Sequence, residues 1–305
     1  MTTDPAPRGA IYDIGYQPYE GERLGRRFAI WSLYVLSLRN AFGIGRGALP
    51  KVLAFGLVIL AFIPAVVQVI LAAVVPIDEF EFVQPHEYFG FIQVIIILFV
   101  AGLSSDLVGN DRRQGTLSLY FSRPIQRGDY AAAKLAALVT ALLTVTVLPQ
   151  TVMFAGNWLG ASDAIDWAKA NGEDFAPILA SGLLVCIMFG SIGIACAAYA
   201  ERRSFALITV LIVFVVPFVV TQIVIDVTES DGAGYIVLLS PAHVMRGFTL
   251  FLFDAFPPVS FRFEGGGADE VLAFVDLPSW LYVIVAFVYT GVASALAFRR
   301  FRSPA

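Results

Sequence analysis

Residues 52–75 read VLAFGLVILAFIPAVVQVILAAVV, and Gln68 is the one strongly polar side chain in the run. A helix needs about 20 mostly apolar residues to cross roughly 30 Å of hydrocarbon, and this stretch supplies them. Working outward, five more runs meet the same requirement: 88–105, 135–155, 175–199, 205–225 and 280–298. The composition agrees. Of 305 residues, 58% are hydrophobic and 14% charged, with a mean hydropathy of +0.77. A water-soluble domain carries about 25% charged residues, so this chain could not cover a water-facing surface. The expectation is an all-α integral membrane protein with six transmembrane helices. Pro64, Pro149, Pro177 and Pro217 lie in or at the ends of these runs. Membrane helices tolerate proline because neighbours satisfy the freed carbonyls.

A seventh apolar stretch, Tyr235–Phe256, is interrupted by Ser240-Pro241, His243, Arg246-Gly247 and Asp254. Its Val244, Phe248, Phe251 and Ala255 recur at helical spacing, which suits an interfacial or re-entrant helical segment before the last span. Charge supports leaving it out of the count. With six crossings, 17 of the 20 Lys and Arg fall on one side, in the N-terminus, the 106–134 loop, the 200–204 turn and the C-terminus. Lys169, Arg246 and Arg262 are left for the other. Basic loops stay in the cytoplasm, so both termini are expected there, in the cell membrane. The acidic residues divide the other way, giving net +9 inside and −13 outside.

Residues 1–51 form a cytoplasmic N-terminus, and 52–305 the transmembrane domain. The N-terminus lacks the basic flank, short apolar core and cleavage site of a signal peptide. Phe28, Trp31, Val35, Leu38 and Phe42 recur at steps of three and four, bordered by Arg26, Arg27, Arg39 and Arg46. That pattern predicts an amphipathic helix lying at the membrane surface. The following Gly43, Gly45 and Gly47 read as a loosening of the chain before the first span.

The loop between spans two and three is the most informative polar stretch: DLVGNDRRQGTLSLYFSRPIQRGDYAAAK, residues 106–134. Reversing direction takes a few residues, as 200–204 shows, whereas nearly thirty suggest a docking surface. Leu117, Leu119, Tyr120 and Phe121 are embedded among its charges. Pro124 and Gly128 divide it, and Gly128-Asp129 is placed to cap a helix running through Lys134 into span three.

The spacing D-x-x-x-x-D-R-R-x-G-T-L-x-L-x-x-S-R-P-I-x-R-x-x-Y-x-x-x-K resembles the first cytoplasmic loop of type-2 ABC exporter permeases. That family has six spans, cytoplasmic termini, an amphipathic helix before the first span and an extracellular re-entrant segment before the last. The resemblance implies that the loop is a coupling helix seated on an ATP-binding cassette subunit. The contact would centre on Arg123, Pro124, Arg127, Asp129 and Tyr130, with Arg112 and Arg113 in support. It further implies a second permease subunit, either an identical chain or a paralogue.

No G-x-x-x-x-G-K-[ST] phosphate loop, G-x-S-x-G elbow or H-E-x-x-H occurs. ATP hydrolysis is therefore expected in a partner chain, with no cofactor or metal in this one. His86 and His243 have no ligand cluster at zinc spacing, and Cys186 and Cys196 are too far apart on one helix for a disulfide. Beyond the other subunits and membrane lipids, no nucleic-acid partner is expected. The spans carry glutamines, Gln68, Gln93, Gln150 and Gln222, rather than the midplane charges of ion-coupled carriers. These glutamines either bond between helices or line a substrate path. The alternative to a transport subunit is a membrane scaffold that docks a cytoplasmic protein on the 106–134 loop.

Overall fold

The computed structural model describes residues 21, 24–74, 83–109, 111, 115, 119–120, 122, 124–161, 163–227, 231–255 and 277–302. Among them all regular structure is helical: α1 (Gly25–Ala41), α2 (Ala48–Val74), α3 (Tyr88–Ser104), α4 (Arg127–Leu143), α5 (Val147–Gly160), α6 (Ala164–Asn171), α7 (Phe175–Tyr199), α8 (Arg203–Val227), α9 (Pro241–Leu252) and α10 (Trp280–Arg302). A π-helical turn, Ser105–Gly109, extends α3, and 3-10 turns precede α7 and α9. Among the described residues six segments are long and apolar enough to cross a membrane: Ala48–Ala72, Tyr88–Gly109, Arg127–Gly160, Ala164–Tyr199, Arg203–Val224 and Trp280–Phe301.

Three of these reach well beyond the apolar runs. Span two continues to Gly109, span three begins at Arg127 rather than 135, and span four begins at Ala164 rather than 175. In the first two, charged side chains remain in the helix because each finds a partner, as described below. Span three is also broken, at Thr144–Thr146, between α4 and α5. The cause is Pro149. It offers no N–H, and its ring clashes with the carbonyl four residues back, that of Val145.

The middle of the bundle is α3 and α7, which are mostly buried; α2, α8 and α10 each leave a broad apolar face exposed. Close approach rests on small residues. A Cβ on Gly182 would fall 2.4 Å from Val147, one on Gly193 2.6 Å from Val100, and one on Gly156 2.2 Å from Val69.

α1 does not follow the single stripe expected of it. Phe28 and Trp31 are exposed, Trp31 at 62%, while Leu38 and Phe42 pack on the core. The ridge buried in the protein is Leu33, Ser37 and Ala41, against α4. The helix is thus apolar on two sides, and the stripe mixed residues from both. The glycines after it also differ from expectation. Gly43 N–H bonds to Asn40 O at 3.1 Å and Ile44 N–H to Arg39 O at 2.9 Å, the paired bonds of a Schellman stop. Gly43 has φ +66°, and a Cβ there would meet Lys51 N at 2.8 Å. The segment is a fixed turn.

α9 has 12 residues, about 18 Å, too short to cross a bilayer. Ser240 and Pro241, which interrupt the apolar run, are its start: Ser240 Oγ accepts from His243 N–H and Pro241 takes the first helical position. Val244 and Phe248 are fully buried among α3, α7, α8 and α10. Phe251 is half exposed, and Ala255 lies past the helix end, after Asp254 at φ +52°.

Candidate coupling site

The two ends of the bundle differ in charge. The basic end gathers α1, the starts of α2, α4 and α8, and the ends of α3, α7 and α10. Side-chain contacts hold these together. Tyr130 packs edge-on to Phe301 at 5.3 Å, and Arg300 lies 5.9 Å from the Tyr199 ring.

Three carboxylates organise this end. Asp106 sits in the π turn after α3. Its Oδ1 is 2.7 Å from Arg203 Nε, an ion pair without hydrogen-bond alignment, and its Oδ2 is 3.6 Å from Arg46 Nη1. It therefore ties span two to the start of α8 and to the turn before α2. The backbone closes in as well, since a Cβ on Gly109 would be 3.4 Å from Arg203 Cα. Asp111 comes next. Lys134 Nζ is 2.7 Å from its Oδ2, and Tyr130 O–H donates to the same atom at 2.9 Å. Tyr130 and Lys134 are four residues apart on α4, so both reach one point.

Asp129 is the third. Arg26 grips it bidentately, Nε to Oδ2 and Nη2 to Oδ1, both at 2.8 Å, and Arg26 Nη2 also donates to Gln126 Oε1 at 3.1 Å. The Arg26 guanidinium is held above its ordinary pKa by that carboxylate. Gln126 N–H donates to Asp129 Oδ2 at 2.9 Å. Asp129 is thus the third residue of a helix that starts at Arg127, with Gln126 as its cap; it is not itself the cap, as the sequence suggested. Next to these contacts the loop offers an exposed surface. Leu119 is 68% exposed, and Ser122, Pro124 and Gln126 are exposed, while Ile125 turns inward.

Of the residues expected at a docking contact, Pro124 is exposed, Arg127 and Asp129 half-buried, and Tyr130 fully buried. Arg112, Arg113 and Arg123 lie outside the described residues, as do Leu117 and Phe121. Sequence reasoning did not pair Arg26, Arg46, Lys134 and Arg203 with these carboxylates: it read Arg26 and Arg46 as the border of the amphipathic helix, Lys134 as part of the loop motif and Arg203 as a topology signal. Their signal was the matching run of Asp106, Asp111 and Asp129.

The four glutamines of the spans lie toward the acidic end. Gln68 Oε1 accepts from Val83 N–H at 3.1 Å, Gln150 Nε2 donates to Pro85 O at 2.9 Å, and Gln222 Nε2 is 3.1 Å from His243 Nε2. Each of these three ties a span to a neighbouring segment. Gln93 is buried on α3. His243 is completed by Thr221 Oγ1 at 3.2 Å and stacks on Phe218. Among the described residues no group of three or more His, Cys, Asp or Glu is placed to hold a metal ion.

In comparisons with known proteins, a family model described as ABC-2 family transporter protein matches residues 23–303. No curated protein matches the chain.

Proposed function

The chain belongs to the ABC-2 family of transporter proteins, and from that premise we propose that it is the permease subunit of an ATP-driven exporter. Two such subunits, identical or paralogous, form the substrate pathway. A separate ATP-binding cassette subunit docks at the basic end, which faces the cytoplasm of a cell whose plasma membrane holds the protein. Membrane lipids cover the exposed faces of α2, α8 and α10.

The observation that carries this proposal is the triple carboxylate anchorage of the 106–134 segment. Asp106, Asp111 and Asp129 link one loop to α1, α4, α8 and the turn before α2. A displacement applied there is shared among those elements, because rigid helices joined by bidentate or buried ion pairs move together. Leu119 and Pro124 give a partner an apolar foothold beside arginines, the composition of a docking surface. Closure of an ATPase on bound ATP would supply the push. A scaffold that merely docks a cytoplasmic protein would use the same surface; family membership favours transport.

The test is Arg123→Glu with Arg127→Glu. The double variant should insert and fold like wild type, but lose complex formation or transport-coupled ATP hydrolysis by an order of magnitude or more. Arg299→Glu, at the same end but outside the contact, should retain both. Normal coupling in the double variant would remove the loop from the mechanism.

A further inference from the structure

At the opposite, acidic end, the structure contains a cavity of about 240 Å³ lined by residues of four segments. Met153, Phe154 and Asn157 come from one face of α5, and Trp167 and Asn171 from one face of α6. Asp174 comes from the turn into α7, and Gln84, Pro85 and His86 from the approach to α3. Its volume is that of roughly eight waters. Aromatic rings form one wall, where Phe154 meets Trp167 edge-on at 5.1 Å; behind it Phe154 packs at a tilt on Phe175 at 5.4 Å.

The polar lining is rich in acceptors. Asn157 is 6% exposed, and its buried Oδ1 has no hydrogen-bond partner. Asn171 commits its Nδ2 to Trp167 O at 3.1 Å, which leaves its Oδ1 to accept. Asp174 adds a carboxylate, and no ion pair reaches it among the described residues. Lys169, the basic residue of α6, is taken by Asp166 at 2.9 Å. Among the described residues neither Lys nor Arg lines the cavity. Burial holds the His86 imidazole below its ordinary pKa, so it is neutral at pH 7 and adds no opposing charge.

We propose that this cavity binds a protonated primary amine. An ammonium carries three N–H donors, matching the Asp174 carboxylate and the two asparagine oxygens. Its charge is attracted to the faces of Phe154 and Trp167. The surrounding acidic surface raises the local concentration of cations. A neutral polyol would satisfy the asparagines but leave the carboxylate uncompensated. The amine could be the headgroup of phosphatidylethanolamine or a free solute, and the experiment separates them. The proposal goes beyond the coupling role and is independent of it.

The full chain is placed in nanodiscs of phosphatidylglycerol, which has no amine, and ethanolamine is titrated while tryptophan fluorescence is followed. A saturable change is expected with ethanolamine and none with ethylene glycol. Asp174→Asn should weaken the apparent affinity at least tenfold. Gln84→Glu adds a second carboxylate to the lining and should strengthen it, a gain that misfolding cannot produce. An absent response, an equal response to ethylene glycol, or wild-type affinity in Asp174→Asn overturns the proposal. Repeating the titration in discs containing phosphatidylethanolamine assigns the source. A weaker apparent affinity means that the headgroup competes for the cavity, and an unchanged one means that the site takes free amines.

Discussion

Lys134 has 2% of its side chain exposed, with its Nζ 2.7 Å from Asp111 and 5.4 Å from the Tyr130 ring centre. A buried pair of this kind adds little net stability, because desolvation offsets the attraction, but removing one member strands the other. Lys134→Ala should therefore cost about 3–5 kcal/mol. Lys134→Met combined with Asp111→Asn should cost clearly less than that. Thermal unfolding in detergent measures both, and equal losses for the single and double variants would contradict the pairing. Close packing offers a second residue-level test. A Cβ on Gly247 would lie 2.2 Å from the fully buried Tyr282 ring, whereas one on Gly291 meets nothing within 4 Å. Gly247→Ala is expected to destabilise by about 1–3 kcal/mol through overpacking. Gly291→Ala should be neutral or gain up to about 1 kcal/mol of helix propensity. The same melts, compared side by side, check the contrast.

Among the elements, α4 shows how one residue serves two structures. Asp129 both accepts the Gln126 N–H at the helix start and holds Arg26 of α1. Arg26→Ala removes the second role alone, while Asp129→Ala removes both. Amide hydrogen exchange in the first turn of α4 should therefore accelerate more in Asp129→Ala, by the worth of one cap, about 1 kcal/mol. Equal acceleration would mean the cap is idle. These contacts also mark where the sequence stops being legible. The six crossings were readable because a bilayer demands long apolar runs whatever the neighbours are. The helix ends were not, since α3 and α4 extend into charged sequence by using partners about 100 residues away: Arg26 for Asp129, Arg203 for Asp106. At that range opposite charges signal that pairs can form but not which residues meet. α1 failed for a related reason. A helix sandwiched between protein and another surface is apolar on two sides, so periodicity picks out no single face. In α9 the polar residues seen as interruptions are its cap and its interior bonds, and only burial reveals that.

For the molecule as a whole, an even number of crossings puts both ends of the described chain on one side. The contacts of Arg26 with Asp129 and of Tyr130 with Phe301 join the first and last helices there. Which side that is depends on charge. Along the sequence, 17 of the 20 Lys and Arg fall in the segments that a six-span topology assigns to that side, and basic segments near span ends resist transfer across the membrane. The acidic end carries the cavity and α6, the basic end the anchored loop, so sidedness decides which of the two meets ATP. Two exposed positions resolve it: Ser122 in the loop and Lys169 on α6. With Cys186 and Cys196 replaced by alanine, Lys169→Cys should react with a membrane-impermeant maleimide on intact cells. Ser122→Cys should react only after the membrane is opened. The reverse pattern would put the carboxylate-anchored loop outside, beyond reach of any ATPase, and the coupling proposal would fall with it. Labelling of both from outside would require an even number of crossings between them, against the single span, α4–α5, that separates the two positions.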